Sequence, residues 1–293
     1  MNARRTSATI LLSSVSALLT NVSHAQLVTQ DLTQGLTADD LVSTLVGPGV
    51  VVSNVQFSGM DSAAGKVSGG TGIIGFANGI MLSSGCISNV IAVGGQNNFN
   101  DVTCDNQQPG DPDLDALIPG YTTFDRSVLE FDFECENIQV ISFEYVFSSD
   151  EYNEYANTDF NDVFGFFVNG VNVALLPDNV TPVSINNVNC GNPVGDPTPH
   201  NCSFFINNSC QGPPGSPDVP FPCTPSRQTE MDGMTVVLNV FASVQPGVNH
   251  IKLAIADAGD HVLDSNVFIR TQSFTCTPPG TTGACCLPNG TCT

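Results

Sequence analysis

Apolar and polar residues alternate strictly in two neighbouring segments of the chain. Over residues 128–135 apolar positions alternate with acidic residues, and residues 138–147 carry four large apolar residues at every second position. A period of two places successive side chains on opposite faces of an extended strand. Both segments are therefore predicted to be β-strands with one buried face and one face in water.

Shorter apolar runs predict further strands. Val163–Val168 is apolar throughout, which is typical of a strand buried on both faces. Asn169 and Gly170 supply the two positive-φ positions of a type I′ turn, so residues 171–176 are predicted to complete a hairpin. The other predicted strands are 50–57, 80–83, 183–188, 236–244, 251–256 and 267–274. The strands at 236–244 and 251–256 are expected to form a second hairpin around a Pro-Gly turn.

One short helix is predicted near the N-terminus. Thr37 is a typical N-cap residue, Asp39 and Asp40 occupy the first turn, and apolar residues follow at helical spacing until the Gly-Pro-Gly sequence at 47–49. About ten strands with a single N-terminal helix predict an all-β fold. The expected architecture is a two-sheet, jelly-roll-like β-sandwich with long, disulfide-stapled loops.

The first 25 residues have the pattern of a secretory signal peptide. Arg4 and Arg5 precede a short apolar run at 10–19, and residues 23–25 form a small-x-small cleavage sequence. The apolar run is much shorter than the ~20 residues that a membrane-spanning helix needs, and no later stretch is apolar enough to span. We therefore expect a mature chain from Gln26 that is secreted or displayed on the cell surface, without a membrane span.

The cysteines indicate an oxidising compartment. The first eight of the 11 cysteines lie 8 to 55 residues apart, which favours disulfides over the paired spacings of zinc sites. The expected disulfide-forming residues are Cys86, Cys104, Cys135, Cys190, Cys202, Cys210, Cys223 and Cys276. The four cysteines within residues 189–232 can pair among themselves in three ways. The other three are Cys285, Cys286 and Cys292, and the odd total indicates either a partner beyond residue 293 or an intermolecular disulfide.

The mature chain is strongly acidic. All 28 Asp and Glu residues follow residue 25, against five Lys and Arg residues, so the net charge of the mature chain is −23. Such a surface repels nucleic acid and anionic membranes and attracts cations. The charge therefore excludes nucleic acid as an expected partner and favours cation binding.

Two acidic stretches, each at the end of a predicted strand, are the main candidates for a metal site. The candidate ligands are Asp150, Glu151, Asp162, Asp257, Asp260 and Asp264. If these strand ends share one edge of the sandwich, their carboxylates offer the six to eight oxygens that calcium prefers. Calcium is therefore the expected cofactor, and the alternative is a set of separate, solvated turns.

A weaker calcium candidate is the sequence Asp111-Pro-Asp113-Leu-Asp115, which places carboxylates at every second residue. It fails the EF-hand pattern, because Ala116 and Thr122 stand where that loop needs Gly and Glu. The stretch is therefore predicted to be an acidic loop.

The chain lacks recognisable catalytic motifs. It contains no nucleophile elbow, zinc-protease helix or P-loop, and it has no tryptophan to stack on a sugar. We therefore expect a protein that is not an enzyme. Two alternatives remain open: a carbohydrate-active enzyme that uses Glu151 and Asp162 as paired carboxylates, or a purely structural envelope domain.

Six sequence segments occur in a characteristic order. They are DPDLDAL at 111–117, SVLEFDF at 127–133, FEYVFSSDEYNEY at 143–155, FNDVFGFFVNG at 160–170, PVSINNVN at 182–189 and HIKLAIADAGDHVLDSNVF at 250–268. In this order they resemble the choice-of-anchor L domain of bacterial surface and secreted proteins, over residues 36–274. The resemblance implies a surface-exposed β domain in adhesion or cell-surface interaction. Its partner would be an extracellular protein or a glycan.

The resemblance also sets the expected domain boundaries. The β domain is expected at 26–276, with a Cys- and Pro-rich insertion at 189–232 that is unusually long for the family. Asp150 stands where the family commonly has a second Glu. A linker at 277–282 precedes residues 283–293, which resemble a partial copy of a cysteine-rich repeat. We therefore expect further repeats and an anchor to lie beyond this chain.

Overall fold

A computed structural model describes residues 26–92, 102–135, 140–209 and 227–277. Its strands are β1 Val28–Asp31, β2 Val50–Ser58, β3 Ala64–Ser68, β4 Asn78–Ser83, β5 Thr123–Cys135, β6 Val140–Ser149, β7 Val163–Val168, β8 Val171–Asn172, β9 Val183–Ser184, β10 Phe205–Asn207, β11 Gly233–Thr235, β12 Leu238–Ser243, β13 Asn249–Ala258, β14 Ser265–Arg270 and β15 Thr275–Thr277. Its α-helices are α1 Ala38–Leu45 and α2 Pro112–Leu117. Single 3₁₀ turns occur at Leu32–Gln34, Asp61–Ala63, Ile87–Val90, Ile185–Asn187 and Cys202–Phe204.

The strands form two sheets in which every pairing is antiparallel. The first sheet has the order β1-β3-β4-β14-β6-β11-β10, with β12 and β15 also paired to β6. The second sheet has the order β2-β5-β13-β7-β8, with β9 paired to β7. The two sheets pack face to face, and the ring centroids of Phe143 in β6 and Phe166 in β7 lie 4.0 Å apart. The predicted all-β, two-sheet sandwich is therefore confirmed.

Alternating residues of the central strands form the core, as their period predicts. Leu129, Phe131 and Phe133 of β5 are buried, and the acidic residues between them lie on the wetter face. All six residues of β7 are buried, and the turn after it has positive φ at both Asn169 and Gly170. This is the predicted type I′ hairpin, in which β8 is shorter than expected.

The expected hairpin between residues 236–244 and 251–256 is wrong. Strand β12 pairs with β6 of the first sheet, whereas β13 lies between β5 and β7 of the second. The intervening turn crosses from one sheet to the other, and the Asn249 side chain closes it by accepting from the Gln245 N–H at 2.9 Å and donating to the Gln245 carbonyl at 2.8 Å. A Pro-Gly turn between two apolar runs does not distinguish a hairpin from such a crossing.

The helices follow their capping residues. Thr37 and Asp40 form the capping box of α1, as the N-cap pattern predicts. Helix α2, however, lies where the sequence predicts an acidic loop, so the expectation of a single helix was wrong. Asp111 caps α2 by accepting from the Asp113 and Leu114 N–H groups, and Pro112 occupies its first turn. Leu114 then packs against the outer face of the second sheet.

Three disulfides join described residues: Cys86–Cys104, Cys135–Cys276 and Cys190–Cys202. The last is one of the pairings that were open within the insertion. Cys210, Cys223 and the cysteines of the C-terminal repeat lie outside the described residues, as do the predicted signal peptide and residues 278–293. Within the described part of the chain, no helix is long and apolar enough to cross a membrane.

Candidate functional site, a buried carboxylate cluster

Four strands place acidic residues at the same end of the sandwich. Strands β6 and β13 end there, and their antiparallel neighbours β14 and β7 begin there, with Ser265 paired to Ser149 and Ala256 paired to Val163. The residues at or just beyond these strand ends are therefore brought together, although they are far apart in sequence. Five of them form what we call the carboxylate cluster: Asp150, Glu151, Asp162, Asp257 and Asp264.

Every member of the carboxylate cluster is buried. The most exposed is Asp150, at 3%. The charges interact across the two loops, because Asp162 and Asp150 both raise the pKa of Glu151, while Asp162 and Asp264 raise that of Asp257. Asp260, the sixth predicted ligand, is partly exposed at the rim, and its charge also raises the pKa of Glu151. The structure thus brings the two predicted acidic stretches together.

Asp162 links the two sheets at this end. Its Oδ1 accepts from the Ala258 N–H of β13 at 2.8 Å, and its Oδ2 accepts from the Ser265 hydroxyl of β14 at 2.6 Å. Burial raises the pKa of Asp162 to about 7, although these two hydrogen bonds act in the opposite direction. Near neutral pH its protonated and charged forms are therefore similarly populated, and a positive partner would favour the charged form.

Asp150 and Asp264 bind the backbone of residues 102–104. The Val102 N–H donates to Asp150 Oδ2 at 2.6 Å, and the Cys104 N–H donates to Asp264 Oδ1 at 2.9 Å. Cys104 is also joined to Cys86 by a disulfide, which fixes this segment beside the end of β4. Burial raises the pKa of Asp264 to about 6 despite the backbone hydrogen bonds that it accepts.

Glu151 and Asp257 carry the least satisfied oxygens of the cluster. Among the described residues, Glu151 Oε2 and Asp257 Oδ1 are buried and have no hydrogen-bond partner. Burial, followed by the charges of Asp162 and Asp260, raises the pKa of Glu151 to about 10. Burial likewise raises the pKa of Asp257 well above its ordinary value. A buried polar atom without a partner costs roughly 1–3 kcal/mol, and more if charged.

The described lysines and arginines do not neutralise these carboxylates. In the described part of the chain, none of them forms an ion pair with Glu151, Asp162, Asp257 or Asp264. Lys252 contacts Asp111 and Asp113, and Arg270 contacts Glu144. These four carboxyl groups therefore have no described lysine or arginine that would stabilise their charged forms.

A second constellation adjoins the cluster and was missed by the sequence prediction. Asp105, Asp125 and His261 place one ligand atom each within 4.8 Å of one another. The Nδ1 atom of His261 lies 3.1 Å from Oδ2 of the fully buried Asp125. The charge of Asp125 raises the pKa of both Asp257 and Asp264, so this second constellation interacts electrostatically with the carboxylate cluster. Asp125 lies on β5 next to the partner of Asp257, a placement that only the strand pairing reveals.

The weaker calcium candidate lies elsewhere. Asp111, Asp113 and Asp115 lie at α2, and the first two contact the Lys252 ammonium at 2.7 Å each. Asp115 accepts from both the N–H and the hydroxyl of Thr123, at 2.8 and 2.7 Å. These partners attach α2 to the second sheet, so the alternating aspartates stabilise a helix and do not join the carboxylate cluster.

A small cavity of about 150 Å³ opens beside Glu151. Tyr155 and Phe160 line it, and their rings meet edge to face with centroids 5.5 Å apart. Leu263, on another wall, has a φ of 66°, which is unusual for a branched residue. The cavity can admit water or an ion but is small for a sugar ring between its walls.

One family model matches the chain: that of the choice-of-anchor L domain, over residues 28–275. No curated protein and no solved structure has significant similarity to it. The family implies a secreted or surface-anchored bacterial protein, and the three disulfides are consistent with an extracellular location. With nearly the whole two-sheet domain inside the matched range, the chain belongs to the choice-of-anchor L domain family and is a surface-associated β-sandwich module.

Proposed function

We propose that this protein is a non-catalytic binding module for adhesion or cell-surface interaction, and that the carboxylate cluster holds a calcium ion. The observation that carries the proposal is the pair of buried, unpartnered oxygens on Glu151 and Asp257. A bound dication would supply a partner for either of these oxygens and would offset the repulsion that Asp162 exerts on both carboxyl groups.

The donor set favours calcium over other common metals. All five members of the carboxylate cluster are oxygen ligands, and the cluster contains no cysteine or histidine that would favour zinc. Calcium accepts six to eight oxygens in flexible geometry, whereas magnesium requires a near-ideal octahedron and retains several waters. Ligands from loops at four strand ends are more compatible with the flexible coordination geometry of calcium than with a strict octahedron. Asp260 at the rim, backbone carbonyls and water can complete the shell.

Calcium at this position would order the loops at one end of the sandwich. The acidic stretch after Ser149, the segment around Cys104 and the turn before Ser265 all contact the cluster. Fixing them together would present a single rigid surface to a partner, in the way that preorganised loops improve binding. Recognition by this end would then be lost when calcium is removed.

Thermal unfolding of the mature chain in calcium, in magnesium and in chelator tests the cation site. Extracellular modules bind calcium with a Kd of about 10⁻⁴ to 10⁻³ M. At about a hundredfold excess over Kd, one site adds roughly 2.7 kcal/mol to the free energy of unfolding. For a domain of this size we expect a Tm increase of roughly 5–11 °C, specific to calcium. Equal Tm values in all three solutions would reject the site.

A carbohydrate-active enzyme is the second candidate, because Glu151 and Asp162 are buried carboxyl groups that interact with each other. Burial raises the pKa of Glu151, which keeps this carboxyl group protonated as a general acid must be, and Asp162 would be its partner. Turnover of a polysaccharide that disappears in Glu151→Gln would support the enzyme. A purely structural envelope domain would instead self-associate with no requirement for calcium or another ligand.

A further inference from the structure

The outer face of the first sheet contains an open groove of about 500 Å³, well away from the carboxylate cluster. Its floor consists of β12, β6 and the segment from Arg270 to Thr275. Ser142 of β6 lies between Phe241 of β12 and Thr275 of β15, so these three residues form one row across the strands. Ser142 to Ser149 is seven residues along β6, which places this row about 23 Å from the cluster.

The ring of Phe241 is exposed at one wall of the groove. Residues of β12 alternate between buried and exposed, and Phe241 is 61% exposed, the highest value for any described aromatic residue. Its neighbours on the same face of β12 are Asn239 and Ser243, both polar. An exposed ring beside polar residues gives a flat apolar surface with hydrogen-bonding groups at its edge.

The second row of the floor is polar and close to neutral. Asn239 pairs with Glu144, and the Arg270 guanidinium donates to Glu144 Oε2 at 2.6 Å. Ser273 fixes the turn behind this pair by accepting from the Glu144 N–H and donating to the Arg270 carbonyl. The groove thus combines an amide, a carboxylate and a guanidinium within reach of one ligand.

These features select among ligand classes. The mature chain carries a net charge of −23, and Glu144 already neutralises Arg270, so the groove disfavours anionic ligands. A lipid or an apolar helix would leave the floor's polar groups without partners, at a cost. A neutral ligand rich in hydroxyl groups can stack on the Phe241 ring and can also hydrogen-bond to the polar residues of the floor. An open groove also admits part of a long polymer, which a closed pocket would exclude.

We propose that this groove binds a neutral polysaccharide, with Phe241 stacking on a sugar ring and with Asn239, Glu144 and Arg270 hydrogen-bonding its hydroxyl groups. The inference rests on the proposed binding function and names the ligand class of that module. It does not depend on calcium, because the groove and the cluster are separated by most of the length of β6.

Native affinity electrophoresis of the mature chain tests the proposal. The gels contain laminarin, mannan, xyloglucan, dextran or hydroxyethyl cellulose, with polygalacturonate as the anionic comparison. We expect at least one neutral polymer to retard the protein, equally in calcium and in chelator. Phe241→Ala should weaken the affinity about tenfold through the loss of stacking. Val171→Ala, which truncates a similarly exposed side chain on the second sheet, should leave it unchanged.

The proposal would be overturned by no retardation by any neutral polymer, by retardation by polygalacturonate alone, or by equal retardation of Phe241→Ala and wild type. Retardation that disappears in chelator would also overturn it, in favour of recognition at the carboxylate cluster. The calcium site fails separately, through the absence of a calcium-dependent change in Tm. Because the Phe241 side chain is mostly exposed, its truncation should leave the fold intact, and the Tm of the variant checks this.

Discussion

Gly85 and Asp264 are in such close contact that a β-carbon on Gly85 would overlap the Asp264 carboxyl group. Gly85 lies just beyond β4, and Asp264 lies just before β14, its neighbour in the first sheet. The backbone at Gly85 is held in place by Asn106, whose side-chain amide donates to the Gly85 carbonyl at 3.0 Å. Backbone therefore forms one wall of the carboxylate cluster, and only glycine fits there.

Gly85→Ala should displace the Asp264 carboxylate and weaken calcium binding. Overpacking a buried site typically costs about 1–3 kcal/mol, so we expect a lower Tm in chelator and a smaller increase on adding calcium. Gly72→Ala is the matched control, because a β-carbon on Gly72 meets nothing within 4 Å. A Gly85→Ala variant with wild-type Tm in both solutions would show that Asp264 can move without consequence.

Removing two carboxylates of the cluster should separate the cost of their repulsion from the gain due to calcium. In Asp162→Asn with Asp264→Asn, we expect the calcium-dependent rise in Tm to disappear. The same variant should be at least as stable as wild type in chelator, because both groups have a raised pKa and so oppose folding when charged.

The control for this double variant removes the same number of charges elsewhere. Asp39 and Asp61 are exposed, and Asp39→Asn with Asp61→Asn should retain the full calcium effect. If calcium still raised the Tm of the double variant of Asp162 and Asp264 by the wild-type amount, the ion would bind elsewhere.

Stability without calcium should increase as the pH falls from 8 to 5.5. The pKa of Asp162 is raised to about 7 and that of Asp264 to about 6, above the ordinary value of 3.8. A carboxyl group with a raised folded-state pKa binds its proton more readily in the native state, so protonation over this range favours folding. Thermal melts in chelator across the pH range measure the trend. A Tm that decreases as the pH is lowered from 8 to 5.5 would contradict it.

Protonation of His250 should also increase the stability of the native state as the pH falls. Hydrogen bonds to Asp132 and Glu130 raise the pKa of His250, although desolvation opposes them, so its protonation also favours the native state. His250→Gln removes that contribution and should leave the part due to the cluster. In saturating calcium the rise on acidification should shrink or reverse, because protons compete with the metal.

The three disulfides should differ in their effect on stability. Cys135–Cys276 connects β5 of the second sheet to β15 of the first and closes 141 residues, whereas Cys190–Cys202 closes 12. In the chain-entropy model these correspond to about 5 and about 3 kcal/mol. We therefore expect Cys135→Ser with Cys276→Ser to lower the midpoint of urea unfolding more than Cys190→Ser with Cys202→Ser. The reverse order would indicate that native-state interactions outweigh loop closure.

Local patterns were enough to predict most elements of the fold. Alternation of large apolar residues located β5 and β6, a fully apolar run located β7, and Thr37 located the start of α1. Each of these signals acts within a few residues, through side-chain period or a single cap. The same local reasoning failed at α2, where Asp111 and Pro112 are also a helix-start pattern, and the alternating aspartates were interpreted as an acidic loop.

The sequence alone determined that this is an acidic, cysteine-rich, all-β chain with carboxylates at its strand ends, because composition and period are local properties. Tertiary structure alone decided which strand ends meet. It placed β12 and β13 in different sheets and brought Asp125 close to Asp257 and Asp264. It also formed the ion pair between Lys252 and Asp111, the N-cap residue of α2. Strand order depends on contacts between residues more than a hundred positions apart, and burial of the carboxylates follows from that order. Their raised pKa values exist only once the sheets have paired.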